Sequence, residues 1–197
     1  IYSEITNNKS FNLAENISIN DKLVDNININ INNSVKKCNV SEIMSIPEFL
    51  KHINNALIFY RYGVSFTNSF LCSILHIFDV SFMSLTNNMQ QSYIKELKKK
   101  IAISLDEDNI WKKCNINPRI IKKTEIQSIL LDGLNNENEH IQLCIQKYLD
   151  INIIVFDILE KKKYYISNFD KYKVTIVLFK FNELYEPLLN EHSNNYF

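Results

Sequence analysis

Two side chains that can act as nucleophiles, Ser69 and Cys72, open the most apolar part of this chain, in the segment TNSFLCSIL of residues 67–75. Apolar residues cover most of the circumference of the helix that we predict from Ser69 to about Asp79, so this helix should be central and buried. The first turn of a buried helix favours nucleophilic chemistry, because its unpaired N–H groups stabilise a thiolate and can form an oxyanion hole. This segment is therefore the first candidate for a catalytic site.

A nucleophile at this position needs a base, and the chain has four histidines. His76 lies one helical turn beyond Cys72, whereas His52, His140 and His192 have no recognisable relation to it. Cys72 itself lies one turn inside the helix, where the helix dipole has weakened and burial disfavours a thiolate. We expect no catalytic Cys–His pair, and an active cysteine peptidase that uses Cys72 stays as an alternative function.

A second segment completes a pattern with the first. Residues 175–180, TIVLFK, predict a strand, and residues 182–187, NELYEP, continue it into a hairpin. Together the two segments resemble the ovarian-tumour-type (OTU) cysteine peptidases over about residues 45–190. In that family an Asp-Gly-Asn-Cys box starts the central helix, and a His-aromatic pair stands at the start of the closing strand, after a β-hairpin. The resemblance implies an OTU-like fold and a family activity on ubiquitin-like chains.

The catalytic residues of that family do not carry over to this sequence. Asn68 matches the Asn of the box, but the nucleophile position holds Ser69 and the leading acid position holds Phe66. The histidine position holds Leu184, beside the retained aromatic Tyr185. Leucine cannot accept a proton, and a serine without a base is not activated at neutral pH. The resemblance therefore implies a degenerate, non-catalytic copy, and replacing Ser69 by cysteine would leave Leu184 unexplained.

Composition limits the function classes further. Lys plus Arg and Asp plus Glu number 22 each, so no overall charge steers the chain toward nucleic acid or membrane. No run of about 18 apolar residues could span a bilayer, and no secretory signal pattern opens the sequence. Asn, Ile and Lys have AT-rich codons and are abundant, as in AT-rich large DNA viruses and some parasites, and we favour a large DNA virus as the source. We therefore expect an intracellular protein of the host cytoplasm or the virion.

The cysteines indicate neither a metal site nor a disulfide framework. They are widely scattered and form no CxxC pair, so we predict free, buried thiols in a reducing compartment, and no metal or cofactor. The four are Cys38, Cys72, Cys114 and Cys144.

The chain divides into three parts by pattern. Residues 1–40 form an Asn/Ile-rich extended arm or linker, in which residues 26–32 alternate strictly between Asn and Ile. The arm could pack on its own domain or reach a partner by strand addition, and the sequence leaves both open. Residues 41–190 form the OTU-like domain, and residues 191–197 form a tail.

The periodicity within the domain predicts an α+β fold, with a helical N-terminal half packed on a small, mostly antiparallel C-terminal sheet of about four strands. Ser45 followed by Pro47 predicts the start of a helix that continues to about residue 57. Asn68 is predicted to cap the central helix, and a further helix is predicted from about Met89 to Ser104.

These observations lead to one main functional hypothesis. The chain is predicted to be a structural or partner-binding module of a larger viral protein, in a particle or a replication complex. Its expected partners are proteins, either other parts of the same viral polypeptide or a ubiquitin-like protein. A nucleic-acid-binding accessory domain that uses the lysines between Lys95 and Lys113 is a second alternative, although a solvated helix face explains them better. Glu183 and Glu186 are predicted to be surface residues.

Overall fold

The fold combines helices with one mixed sheet, which confirms the α+β class. The computed structural model describes residues 35–47, 59–107, 109–132, 138–160 and 162–190. Within these ranges the strands are β1 (Ile43–Ser45), β2 (Phe59–Tyr62), β3 (Asn152–Asp157), β4 (Lys162–Tyr165), β5 (Thr175–Phe181) and β6 (Leu184–Asn190), and the helices are α1 (Ser69–Phe78), α2 (Val80–Met83), α3 (Asn87–Glu107), α4 (Ile110–Cys114), α5 (Lys123–Asp132) and α6 (Glu139–Leu149).

The sheet has the strand order β1-β2-β6-β5-β3-β4. β3 and β5 are parallel, with a register that runs from Asn152 opposite Thr175 to Asp157 opposite Lys180. The other described neighbours are antiparallel. All six residues of β3 are buried, as expected of a strand covered on both faces. The four C-terminal strands match the prediction, and β1 and β2 extend the sheet beyond it.

The helix predicted after Ser45 lies mostly outside the described residues, and Ser45 itself belongs to a strand that was not predicted. Ser45 ends β1 and lies opposite Tyr60 of β2. β1 pairs with β2 at one end of the described strand order, and exposed residues flank its half-buried Met44, a pattern of period two rather than of a helix. Residues 48–58, which carry the rest of the predicted helix, lie outside the described residues.

Gly63 allows the segment before β1 to pass close to the end of β2. Its N–H donates to the carbonyl of Glu42 at 2.8 Å, and its carbonyl accepts from the N–H of Ser41 at 2.7 Å. A Cβ atom on Gly63 would lie 1.6 Å from the carbonyl oxygen of Asn39. Only a residue without a side chain fits here unless the backbone moves.

Apolar side chains cover both faces of the sheet. On one face α1, α3 and α6 build the main core with residues such as Phe70, Ile94 and Ile145. Eight of the ten residues of α1 are buried, which confirms the prediction of a central helix. On the other face a smaller cluster is joined by Val35 and Ile46 and consists of Ile154, Phe156, Ile158, Val177, Phe179 and Phe181.

The last residues of the predicted arm therefore contact the sheet, since Val35 packs against this smaller cluster. Residues 1–34 and 191–197 lie outside the described residues. In the ranges that are described, no helix has both the length and the apolar character needed to cross a membrane.

Candidate functional site

The N-terminus of α1 lies directly against the β5–β6 hairpin. The Ser69 hydroxyl donates to the carbonyl of Glu183 at 3.2 Å and accepts the N–H of Tyr185 at 3.1 Å. One turn further along α1, the Ser73 hydroxyl donates to the carbonyl of Tyr185 at 3.0 Å. Two serines thus satisfy both backbone groups of Tyr185. β2 pairs with β6 only from Leu188 onward, so the serines take the place of a neighbouring strand here.

The positions that the family resemblance connects are therefore adjacent in space. Ser69 is 3% exposed, and Leu184 and Tyr185 are buried beside it. The carbonyl of Phe66 accepts the N–H of Ser69 at 3.3 Å, but Phe66 itself is 61% exposed, unlike the buried Ser69, Leu184 and Tyr185. Among the described residues, the partners of the Ser69 hydroxyl are the two backbone groups of the hairpin, and neither can serve as a general base.

Asn68 precedes α1 but does not cap it, so the capping prediction is wrong. Its backbone is left-handed, with φ 57° and ψ 34°, and its side chain makes no bond to the first turn of the helix. Instead its amide nitrogen donates to Gln91 at 3.0 Å, and its amide oxygen accepts from the ammonium of Lys98. The side chain therefore links the start of α1 to α3.

Lys98 is buried, with 2% of its surface exposed, although the sequence placed it on a solvated lysine face. The spacing contained the signal: Ile94, Lys98, Ile101 and Leu105 recur at helical intervals and are all buried. The amide of Asn68 gives the ammonium a partner, which a buried charge requires. Lys98 is consequently not available to the lysine surface of the nucleic-acid alternative.

Cys72 and His76 approach each other but do not form a nucleophile–base pair. The sulfur lies 3.8 Å from Nδ1 of His76, and that same nitrogen lies 2.8 Å from the carbonyl oxygen of Cys72. A carbonyl oxygen only accepts, so Nδ1 carries a proton and donates it there. Nδ1 therefore cannot remove a proton from the thiol. Cys72 is also fully buried, which closes it to a substrate.

His76 is packed as a neutral aromatic side chain. Its ring lies 5.0 Å from that of Tyr62 and 5.3 Å from that of Phe82. Burial lowers the pKa of His76, and the bond to the carbonyl of Cys72 opposes this only in part. The environment therefore favours the uncharged imidazole.

Two further polar contacts, one at Tyr185 and one at Asp157, were not predicted from the sequence. The Tyr185 hydroxyl accepts from Gln142 of α6 at 2.7 Å, and Lys180 donates to the buried Asp157 at 3.1 Å. Burial raises the pKa of Tyr164, and the neighbouring Tyr185 adds to the effect. Burial lowers the pKa of Lys180, but its bond to Asp157 and nearby negative groups outweigh burial and leave the pKa raised. Nothing in the sequence around Asp157 or Lys180 indicated that these two side chains would pair.

Comparisons with protein-family models, with curated proteins and with solved structures find no match for this chain. The site must therefore be interpreted from its own geometry. Within the described ranges, no group of three or more His, Cys, Asp or Glu side chains could hold a metal ion. What the site contains is a buried seam of hydroxyl and amide groups that holds α1 against the hairpin and against α3.

Proposed function

We propose that this domain is a non-catalytic, OTU-like module of a larger viral protein, and that it serves as a structural or partner-binding unit. The engagement of the Ser69 hydroxyl with the hairpin backbone is the observation that supports it most. A peptidase of this family needs a free nucleophile at that point, with an imidazole beside it. Here the hydroxyl is buried between backbone groups, and a leucine occupies the neighbouring position.

The contact of Ser69 with residues 183–185 also supports the family resemblance itself. Ser69 and Leu184 are 115 positions apart in sequence, yet they are neighbours, as the box and the histidine of an OTU peptidase would be. In this proposal the domain keeps the fold of the peptidase but lacks its catalytic residues. The domain is then available for binding alone.

A ubiquitin probe with a C-terminal propargyl group tests the catalytic half of the proposal. We expect no covalent adduct with the full chain after hours at neutral pH, whereas an active OTU peptidase is labelled within minutes in the same assay. An adduct that disappears in Cys72→Ala would show a live cysteine peptidase and would overturn the proposal. An adduct that survives in Cys72→Ala would overturn it as well, through another nucleophile.

For the binding role, we propose that the partner is a ubiquitin-like protein and that it contacts Phe66. This ring is 61% exposed and lies three residues before the start of α1, at the position of the lost acid. We expect binding of unmodified ubiquitin, measured by titration of its amide resonances, to weaken at least about tenfold in Phe66→Ser. Ile120→Ser is the matched control, because Ile120 is 68% exposed and lies between α4 and α5.

Equal binding by both variants, or no binding by the parent chain, would contradict the ubiquitin-like partner. Either result would leave the non-catalytic half to be judged by the propargyl probe alone. The two halves of the proposal therefore fail separately.

A further inference from the structure

Two cysteines that are 30 positions apart in the sequence meet inside the helical layer. Cys114 ends α4, Cys144 lies in the middle of α6, and their sulfur atoms are 3.5 Å apart. Both are free thiols, and both are buried, with exposed fractions of 5% and 0%. A buried free cysteine usually acts as a small apolar residue. Two of them in contact from different helices can form a disulfide when an oxidant is present and the sulfur atoms move from 3.5 Å to the bond length of about 2.0 Å.

We propose that Cys114 and Cys144 are a reversible redox pair, which a hydroperoxide closes to a disulfide and a thiol reductant reopens. This function does not depend on the proposed loss of peptidase chemistry. It gives the domain a modification site within its helical layer.

The two thiols are unequal, and the difference assigns their roles. The hydrogen bond between the two thiols lowers the pKa of Cys114, burial opposes this, and the charge of Lys147 lowers it further. The same hydrogen bond and burial raise the pKa of Cys144. Cys114 is also the more exposed of the two. Because Cys114 is more exposed and lies at the end of α4, a peroxide reaches it first, so Cys114 is the attacking sulfur and Cys144 the resolving one.

The reaction balances with a hydroperoxide as the only oxidant. The thiolate of Cys114 attacks one peroxide oxygen, the O–O bond breaks, and the leaving oxygen takes a proton, so with hydrogen peroxide a sulfenic acid and one water form. Cys144 then loses its proton and attacks the sulfur of Cys114. The S–S bond forms, the S–O bond breaks, and a second water leaves. Two thiols have been oxidised, and one peroxide has been reduced to two waters.

The other two cysteines are internal controls. Cys38 donates to the carboxylate of Glu186 at 3.3 Å, and burial followed by the charge of Glu186 raises the pKa of Cys38 to about 12. Cys72 is fully buried in the main core. Neither has another described thiol in hydrogen-bond contact, so neither should form an intramolecular disulfide under mild oxidation.

The test uses the full, folded chain and a few equivalents of hydrogen peroxide at neutral pH. We expect the intact mass to fall by about 2 Da. A non-reducing tryptic digest should then contain residues 114–119 linked to residues 124–147, which are the peptides that carry the two cysteines. Dithiothreitol should reverse the linkage. The closed form should melt about 5–10 °C higher than the reduced form, because the bond closes a loop across α5.

Cys114→Ser is the matched variant, since a hydroxyl can keep the contact with Cys144 but cannot be bridged. It should show neither the mass loss nor the rise in melting temperature. Phenylarsine oxide gives a second measurement that needs no oxidation, because one arsenic bridges two adjacent thiols. The folded parent chain should bind one equivalent, and the variant should bind none.

Three results would overturn the proposal. The first is a linked peptide that forms only after denaturation, and the second is a linkage to Cys38 or Cys72 in similar amount. The third is failure of the folded parent chain to bind the arsenical. Because the linked peptide and the arsenical are measured on the parent chain, a variant that does not fold would not remove the test.

Discussion

Neighbouring residues of β6 are held from the two faces of the sheet by different kinds of polar contact. On the face covered by helices, the neutral hydroxyls of Ser69 and Ser73 bond to the backbone of Tyr185. On the other face, the carboxylate of Glu186 is fully buried and receives the guanidinium of Arg61 at 2.9 Å. It also accepts the backbone N–H of Cys38 at 2.6 Å.

A buried charge on this sheet needs more support than a buried hydroxyl. A buried hydroxyl costs little once it is hydrogen-bonded, whereas a buried ion is tolerated only with its partner and further hydrogen bonds. Glu186 has both, because it is paired with Arg61 and also accepts from the N–H of Cys38. Arg61 in turn donates to the carbonyl of Lys36 at 3.0 Å and lies over the ring of Phe179. The Arg61–Glu186 pair therefore binds the segment around Lys36 and Cys38 to the face of the sheet opposite α1.

The largest expected effect comes from breaking the charged contact on one side only. Arg61→Met keeps much of the side-chain volume but leaves the Glu186 carboxylate buried without its guanidinium. We expect a loss of about 3–5 kcal/mol in the free energy of unfolding, measured by urea denaturation. The double variant Arg61→Met/Glu186→Leu should recover part of this loss, because no unpaired charge remains. If the single variant lost less than the double one, the pair would not be acting as a buried ion pair.

A smaller effect is expected on the helix-covered face. Ser69→Ala removes the acceptor of the Tyr185 N–H and leaves that donor buried, which should cost about 1–3 kcal/mol in urea denaturation. Ser104→Ala is the matched control. Ser104 is equally buried, but among the described residues its hydroxyl only donates to the carbonyl of Ile101 within α3 at 2.7 Å. The control should lose clearly less, and equal losses would mean that the seam at the hairpin adds nothing specific.

How far the sequence could predict these two faces depends on the range of the contacts. The C-terminal strands were predictable, since residues such as Ile153, Val155 and Ile176 form continuous β-branched runs between turns. β2 was missed because Phe59–Tyr62 is short and gives no apolar alternation. Whether the chain is related to the OTU peptidases stays a prediction.

The buried charges could not be predicted from local pattern. Glu186 was predicted to lie at the surface, and this is wrong, because Arg61 reaches it from 125 positions away. Such a pairing depends on which strands become neighbours, here β2 and β6, and no local period encodes it. Lys98 differs, because its place in the stripe between Ile94 and Ile101 was visible.

Protonation of His76 and protonation of Glu186 should change the stability of the fold in opposite directions. Burial lowers the pKa of His76, so the unfolded chain takes up a proton first as the pH falls below 6.5. The unfolded state then binds more protons, and this face loses stability on acidification, by at most about 1.4 kcal/mol per pH unit for one group. Burial raises the pKa of Glu186, and its bonds to Cys38 and Arg61 oppose this only in part. The folded chain therefore binds that proton first, and the opposite face gains stability until the pH falls below about 4.5.

His76→Phe isolates the first effect, because it keeps an aromatic ring against Tyr62 and Phe82 and removes the titrating group. Urea denaturation of the parent chain and the variant at pH 7.5, 6.5 and 5.5 should show their difference in stability shifting in favour of the variant as the pH falls. Parallel curves would mean that His76 is not held neutral. A shift in the opposite direction would mean that the imidazolium is favoured in the fold, and Nδ1 would then have to be reconsidered as a charged donor to the Cys72 carbonyl.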